Sequence, residues 1–253
     1  MPRRNPRKPK PLDLKQRNET ASLKLRAYRH IQSLVLSGKL AAGQVVSELA
    51  LAREIGISRT PVREAMSQLT AEGILEQIPG RGTIAKRPTR NDVLELYELR
   101  EALEVYAVGK AQVQDARRLQ ELCDAIHKFA EELRSSGQRH LDPAQMEQLI
   151  AADLRFHLEL ISAAGNRRIV KVVRDTRLLI GIFSMSIDAY SLDDVERIYQ
   201  SHLDILKSVI DGDRDRSARL MGEHIRMSCQ ERLESFDRHE RLASMAEAIN
   251  GTL

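Results

Sequence analysis

Asp153 and His157, in the segment A-A-D-L-R-F-H-L-E-L, stand four residues apart, so on a helix they share one face. Leu149, Ile150, Leu154, Leu160 and Ile161 border that face, which turns a carboxylate and an imidazole toward apolar surroundings. His202 falls on a segment whose apolar stripe is Val195, Ile198, Ile205, Leu206 and Val209, and His224 lies among Leu220, Met221 and Met227. One inward histidine is ordinarily a core residue with a hydrogen bond. Three of them with an aspartate, from three helices of one bundle, form a donor set. A buried carboxylate is costly unless it is paired or coordinates a metal, and three imidazole nitrogens with one carboxylate oxygen suit Zn, Ni, Fe or Mn. Such a set can also activate water. Against that use, four protein ligands leave less open coordination than the three usual at catalytic zinc, and no general base besides the ligands stands out.

A second chemistry lies near the other end, in Leu49–Leu75, L-A-L-A-R-E-I-G-I-S-R-T-P-V-R-E-A-M-S-Q-L-T-A-E-G-I-L. This reads as two short amphipathic helices around a turn at Gly56, where glycine supplies the permissive backbone. Leu49, Ala52 and Ile55 are spaced for one helical face. Ser58 or Thr60 can cap the second helix, and Pro61 suits its first turn. Val62, Met66 and Leu69 face inward, leaving Arg59, Thr60 and Arg63 on or beside the opposite face, where guanidinium forks reach guanine edges or phosphates. Gly73–Ile78 and Gly82–Ala85 read as strands around Pro79-Gly80-Arg81-Gly82, a wing with an arginine at its tip. An apolar stripe of Leu23, Ala27, Ile31, Leu34 and Val35 marks a helix before the motif.

These residues resemble the GntR family of bacterial transcription regulators. The shared positions are Ile31, Gly38, Leu40, Gly43, Glu48, Leu51-Ala52, Gly56, Ser58-Arg59, Pro61-Val62-Arg63-Glu64-Ala65, Leu69, Glu72-Gly73 and Gly80-Arg81-Gly82, across about residues 20–88. The resemblance implies that Arg59 and Arg63 read bases and phosphates of a double-stranded operator, with Ser58 and Thr60 beside them. It also implies that the wing residues Gly80, Arg81 and Gly82 approach the DNA backbone and that Arg53 makes a phosphate-type contact.

Charge is distributed to match. Residues 1–17 carry seven Lys/Arg against one acid, residues 18–90 eleven against six, and residues 91–253 twenty-two against twenty-nine. A basic first third and an acidic remainder are the footprint of a DNA-binding end on another body. Residues 1–19, with Pro2, Pro6, Pro9 and Pro11, read as a disordered basic arm, either a solubilising tail or a source of non-specific phosphate contacts. Tryptophan is absent and aromatics are 4% of the chain, which argues against recognition of single strands by base stacking.

The length of 253 residues allows two domains. No apolar run approaches membrane-spanning length, and no apolar core follows the basic start as in a secretory signal. Cys123 and Cys229 are far apart and in no metal-ligand spacing, as expected of reduced thiols in a cytoplasmic protein. Beyond a linker at 87–91, apolar spacing predicts helices over about 92–112, 115–136, 144–164, 167–188, 192–211 and 213–238, with 241–253 as a tail. Six helices and short loops, punctuated by Ser136-Gly137, Asp142-Pro143, Gly165-Asn166 and Gly212-Asp213, imply an antiparallel bundle. The predicted fold is thus mainly α, a winged helix-turn-helix domain over 20–88 followed by an all-α bundle over 91–240.

That bundle is similar to the effector domain (FCD) of the FadR-type subfamily of GntR regulators. The resemblance rests on L-R-E-A-L-E (Leu99–Glu104), D-L-R-F-H (Asp153–His157), A-G-N (Ala164–Asn166), S-H-L-D-I-L (Ser201–Leu206) and Gly212-Asp213 through Ala218 to His224. It implies that Asp153, His157, His202 and His224 bind a divalent metal beside a cavity for a small carboxylated effector. It further implies that Arg100 clamps the effector's carboxylate and that the protein is a homodimer on a pseudo-palindromic operator. Arg100 also reads as half of a surface ion pair with Glu104, and Asn166 either as a pocket residue or as the left-handed residue that ends a helix. The expected function is a metabolite-controlled transcription regulator, by default a repressor. The alternatives are a constitutive DNA binder with a structural metal and a helical-bundle metalloenzyme.

Overall fold

Several helices in this chain start where a side chain bonds their free N–H groups. In the computed structural model, which describes residues 14–183 and 188–250, the chain divides after Arg87 into two units. The first holds α1 (Leu14–Leu36), α2 (Glu48–Ile55), α3 (Arg59–Ala71), β1 (Leu75–Ile78) and β2 (Gly82–Ala85). Ser47 caps α2 by accepting from Ala50 N–H, and Gly56 closes it at φ 73°, a left-handed conformation that favours glycine. Ser58 occupies the N-cap position of α3 without a side-chain capping bond. The buried face of α2 is Leu51, Ala52 and Ile55. Leu49, expected on that face, is exposed, because it lies two positions before Leu51 and so on the far side of the helix. Val62, Met66 and Leu69 of α3 pack inward with Ala27 and Ile31 of α1.

The wing strands β1 and β2 pair antiparallel from Leu75↔Ala85 to Ile78↔Gly82. A third segment joins them: Val46 N–H donates to Thr83 O and Ala85 N–H to Gln44 O. The first strand begins at Leu75 rather than Gly73, since Gly73 adopts φ 78° in the turn after α3. Helix α1 begins at Leu14, so residues 14–19 of the expected basic arm are helical; residues 1–13 lie outside the described part of the chain.

The second unit contains α4 (Arg90–Val108), α5 (Arg117–Ser136), α6 (Pro143–Ser162), α7 (Arg167–Phe183), α8 (Leu192–Ile210) and α9 (Arg214–Asn250). Three open on capping boxes, Thr89 with Asp92, Asp142 with Gln145, and Ser191 with Asp194. Gly137 ends α5 in the left-handed conformation. The sequence reading of α7 extends to 188, of which 184–187 lie outside the described residues. Helix α9 runs through 241–250, where a tail was expected. Helices α4, α6, α7, α8 and α9 share a core around Phe156, Leu160, Ile161, Val173, Ile205, Leu206 and Met221, while α5 and α6 carry a second cluster around Ile126, Leu133 and Leu149. The first core holds the charged cluster described next.

Candidate functional site

Helix α6 presents Asp153 and His157 one turn apart, α8 supplies His202 and α9 supplies His224. One ligand atom from each lies within 4.8 Å of the others, and the three imidazoles are buried. The rings are fixed from outside. His202 stacks on Phe156 at 4.2 Å. His157 Nδ1 lies 2.5 Å from Glu104 Oε2, and that fully buried carboxylate also accepts from Arg100 Nε at 2.8 Å. His224 Nδ1 lies 2.9 Å from Ser201 Oγ, whose own hydrogen is donated to Ile198 O. A carboxylate and an already-donating hydroxyl both require N–H at Nδ1, so Nε2 of each ring carries a lone pair.

Those two Nε2 atoms face each other at 3.2 Å. Two lone pairs at that distance repel, and a cation between them removes the repulsion. His202 adds two buried ring nitrogens without a hydrogen-bond partner among the described residues; its Nε2 is 3.2 Å from Asp153 Oδ1 but poorly aligned for a hydrogen bond. Orphaned buried nitrogens, facing lone pairs and an adjacent carboxylate together fit a divalent metal held by three nitrogens and one oxygen. With a metal there, Glu104 and Ser201 would be the outer partners that orient its histidines.

The protonation states agree. Burial disfavours the charged His157, and Arg177 adds to this, lowering its pKa to about 4 against the pull of Glu104. Burial and the neighbouring imidazoles drive His224 well below its ordinary range. Burial alone would raise the Asp153 carboxyl, but Arg177 and the imidazoles hold it well below the usual carboxylate range. Glu104 is likewise depressed, with Arg100 and His157 overcoming its burial. His157 and His224 are therefore neutral imidazoles and Asp153 an ionised oxygen at neutral pH, the forms that bind metals.

Beside it lies a cavity of about 130 Å³, walled by Asp153, His224, Arg100, Arg177, Glu231 and Arg232 on its charged side. Leu149, Ile150, Leu154, Ile180 and Ile198 form an apolar side. Arg100 is 3% exposed, so its ion pair with Glu104 is interior rather than the surface pair the spacing allows. Arg177 pairs with Asp153 and lies 3.8 Å from Glu104. Asn166 is absent from this wall. It is exposed, and its Oδ1 accepts from the N–H groups of Arg168 and Ile169, so it caps α7, while Gly165 takes the left-handed turn.

Glu104 and Arg177 are site residues that sequence reasoning passed over. Arg177 carried a readable signal: it follows Val173 by four and precedes Ile180 by three, placing a charge on the buried stripe of α7. Glu104 carried a weaker one, standing next to Leu103 at four residues from Arg100.

In the first unit Arg53, Ser58, Arg59, Thr60, Arg63, Gly80 and Arg81 are exposed and Gly82 is half-buried. Arg59, Thr60 and Arg63 occupy the first turns of α3. Arg63 grips Glu48 with Nε and Nη2, both at 3.0 Å, and Arg59 Nη2 reaches the same carboxylate at 3.1 Å. Arg63, then Arg59, lower the Glu48 pKa. Glu48 is in the sequence motif, but its hold on both arginines emerges only from the fold.

Comparison with known proteins agrees with this division. Residues 23–84 match the family model described as bacterial regulatory proteins, gntR family, and residues 95–227 match the FCD domain. The chain is 29% identical over 196 residues to a protein of Paenarthrobacter nicotinovorans named "Probable D-xylose utilization operon transcriptional repressor", covering 76% of this chain and 80% of that one. It is 25% identical over 203 residues to the gluconate operon transcriptional repressor of Bacillus licheniformis, covering 77% and 79%. A crystal structure of a GntR transcriptional regulator from Rhodococcus sp. RHA1 has the same fold, at TM-score 0.65 and 20% identity over 84% of this chain and 98% of that one.

Proposed function

This chain belongs to the gntR family of bacterial regulatory proteins, with an FCD domain as its second unit, and is a transcription regulator rather than an enzyme; we propose that it is a metal-dependent repressor released by a small carboxylate. The observation that carries this reading is the single wall on which Asp153 and His224 of the Asp153–His157–His202–His224 cluster meet a cavity together with Arg100. Zn, Ni, Mn or Fe would be held by those four residues, and bound there it supplies positive charge beside the cavity. Arg100, kept in place by Glu104 and by Tyr97, whose ring centre is 5.0 Å from its guanidinium carbon, supplies a rigid donor fork for a carboxylate. The apolar side takes a short carbon skeleton.

On the DNA side, Arg59, Thr60 and Arg63 read the operator's major groove from the start of α3, with Ser58 beside them. Gly80, Arg81 and Gly82 of the wing and Arg53 contact its backbone. A homodimer places two such helices on the two halves of a pseudo-palindromic site. An effector changes operator occupancy only through unequal affinity for the DNA-bound and free forms, typically a coupling of ~1–3 kcal/mol. The two relatives named as repressors support repression as the direction.

The test is a thermal-shift screen of short carboxylates on metal-loaded and chelator-stripped protein, followed by titration of an operator selected from random duplexes. A ligand that binds only the native state raises the midpoint by mass action. Stabilisation that requires metal, together with weaker operator binding when the carboxylate is present, is the expected result. Tighter operator binding would overturn repression by release. No carboxylate effect in either form would leave the metal structural and the regulation elsewhere.

A further inference from the structure

The cavity wall carries three guanidiniums that differ in how their charge is met. Arg100 has Glu104, and Arg177 has Asp153. Arg232, on the same wall, is paired with no carboxylate among the described residues, and its Nε and Nη1 are buried without a hydrogen-bond partner. The adjacent Glu231 feels its charge but forms no ion pair with it, because that carboxylate lies 2.6 Å from Arg197, which also holds Asp194. Arg177 Nη1 is likewise buried without a hydrogen bond. A buried charge without a counter-ion is costly, and so are buried donors without acceptors.

The charge inventory gives the same answer. Glu231 also lines the cavity and is held with Asp194 by Arg197, so Arg100, Arg177, Arg197 and Arg232 are matched in number by Glu104, Asp153, Asp194 and Glu231, and a divalent cation at the histidine cluster leaves a positive excess of two. A single carboxylate engaging Arg100 and the metal side leaves Arg232 as it was. A second anionic group on the same molecule meets it, and Tyr97, whose side chain hydrogen-bonds Arg232, and Tyr190 line the wall beside it.

We infer that the effector carries two anionic groups on a short skeleton, one directed to Arg100 and the metal cluster and the other bound by Arg232, which makes Arg232 the residue that selects doubly charged ligands over singly charged ones. This rests on the carboxylate-effector reading above. A hydroxy dicarboxylate and a phosphorylated hydroxy acid share this chemistry, and the assay separates them.

The experiment is calorimetric titration of the full-length, metal-loaded protein with lactate, malate and 3-phosphoglycerate, in wild type, R232Q and R232K. Wild type is expected to bind at least one of the two doubly charged ligands about tenfold tighter than lactate, the scale of a charge-assisted hydrogen bond. Tighter binding of malate than of 3-phosphoglycerate assigns the second group as a carboxylate, and the reverse order as a phosphate. R232Q is expected to bring that ligand down to the level of lactate while leaving lactate unchanged. R232K, which keeps the charge, is expected to retain part of the preference, whereas a packing role would affect both variants alike. Lactate binding as tightly as the doubly charged ligands in wild type, or an unchanged preference in R232Q, overturns the inference and leaves the carboxylate reading standing. If none of the three binds, the selection of doubly charged ligands is overturned. The broader thermal-shift screen then shows whether the carboxylate reading falls as well.

Discussion

Replacing Glu104 by glutamine tests the outer support of the proposed metal cluster. The carboxylate is fully buried, accepts from Arg100 at 2.8 Å and lies 2.5 Å from His157 Nδ1, with Arg177 at 3.8 Å. The amide preserves shape and one acceptor oxygen but removes the charge that fixes the His157 tautomer and neutralises Arg100. Two consequences can be read separately. Loss of a partner that orients a ligating histidine costs about 10–100-fold in metal affinity. Leaving a buried guanidinium without its counter-ion costs ~3–5 kcal/mol of stability, and at about 2–4 °C per kcal/mol for a domain of this size the metal-free midpoint should fall by roughly 6–20 °C. Competition against a chromophoric chelator measures the first, and thermal unfolding of the stripped protein the second. A variant that binds metal within a factor of about two of wild type would refute the assignment of Glu104 as a support of the ligand set, whatever its midpoint.

Three further outcomes are expected. His202→Ala should lower metal content, and an unchanged metal-to-protein ratio by elemental analysis would remove His202 from the ligand set. Arg63→Ala should abolish preference for the selected operator while leaving the circular dichroism spectrum unchanged, with a cost of about 1–3 kcal/mol if the side chain reads a guanine; retained preference would mean that α3 is not the reading helix. In chelator-stripped protein, stability should fall as pH drops from about 6.5 toward 4, because the unfolded chain then takes up protons at His157 that the folded chain, with its pKa at about 4, refuses. A midpoint flat over that interval would contradict the buried neutral imidazole.

What the sequence disclosed and what it hid follow one physical rule. Features set by neighbours in the chain were readable: the helix breaks at Ser136-Gly137, Asp142-Pro143 and Gly212-Asp213, the glycine turn at Gly56, and the i, i+4 pairing of Asp153 with His157. Helix assignment over 92–238 followed from those local signals. Features set by distant packing were not. Glu104 and Arg177 enter the site only because α4 and α7 lie against α6. Arg100 is buried by the same packing. Asn166 was misassigned because A-G-N places it after a helix without showing that its carboxamide would turn to cap the next one. Leu49 was misplaced by an ambiguous periodicity on a helix of only eight residues.

The grip of Glu48 on Arg59 and Arg63 has a kinetic consequence. On the proposed reading, these two cations meet any duplex first, yet one carboxylate already holds both. Every stretch of wrong sequence offers phosphates, and a side chain freely available to them lengthens the stay there. Two arginines leashed by a common acid offer less to a passing backbone, and a guanine that takes both lobes of the Arg63 fork can compete with the leash. On that reading, scanning along non-operator DNA would be hastened, at some expense in final affinity. The time such a protein takes to find its site in a genome is set partly by an acid that makes no contact with a base.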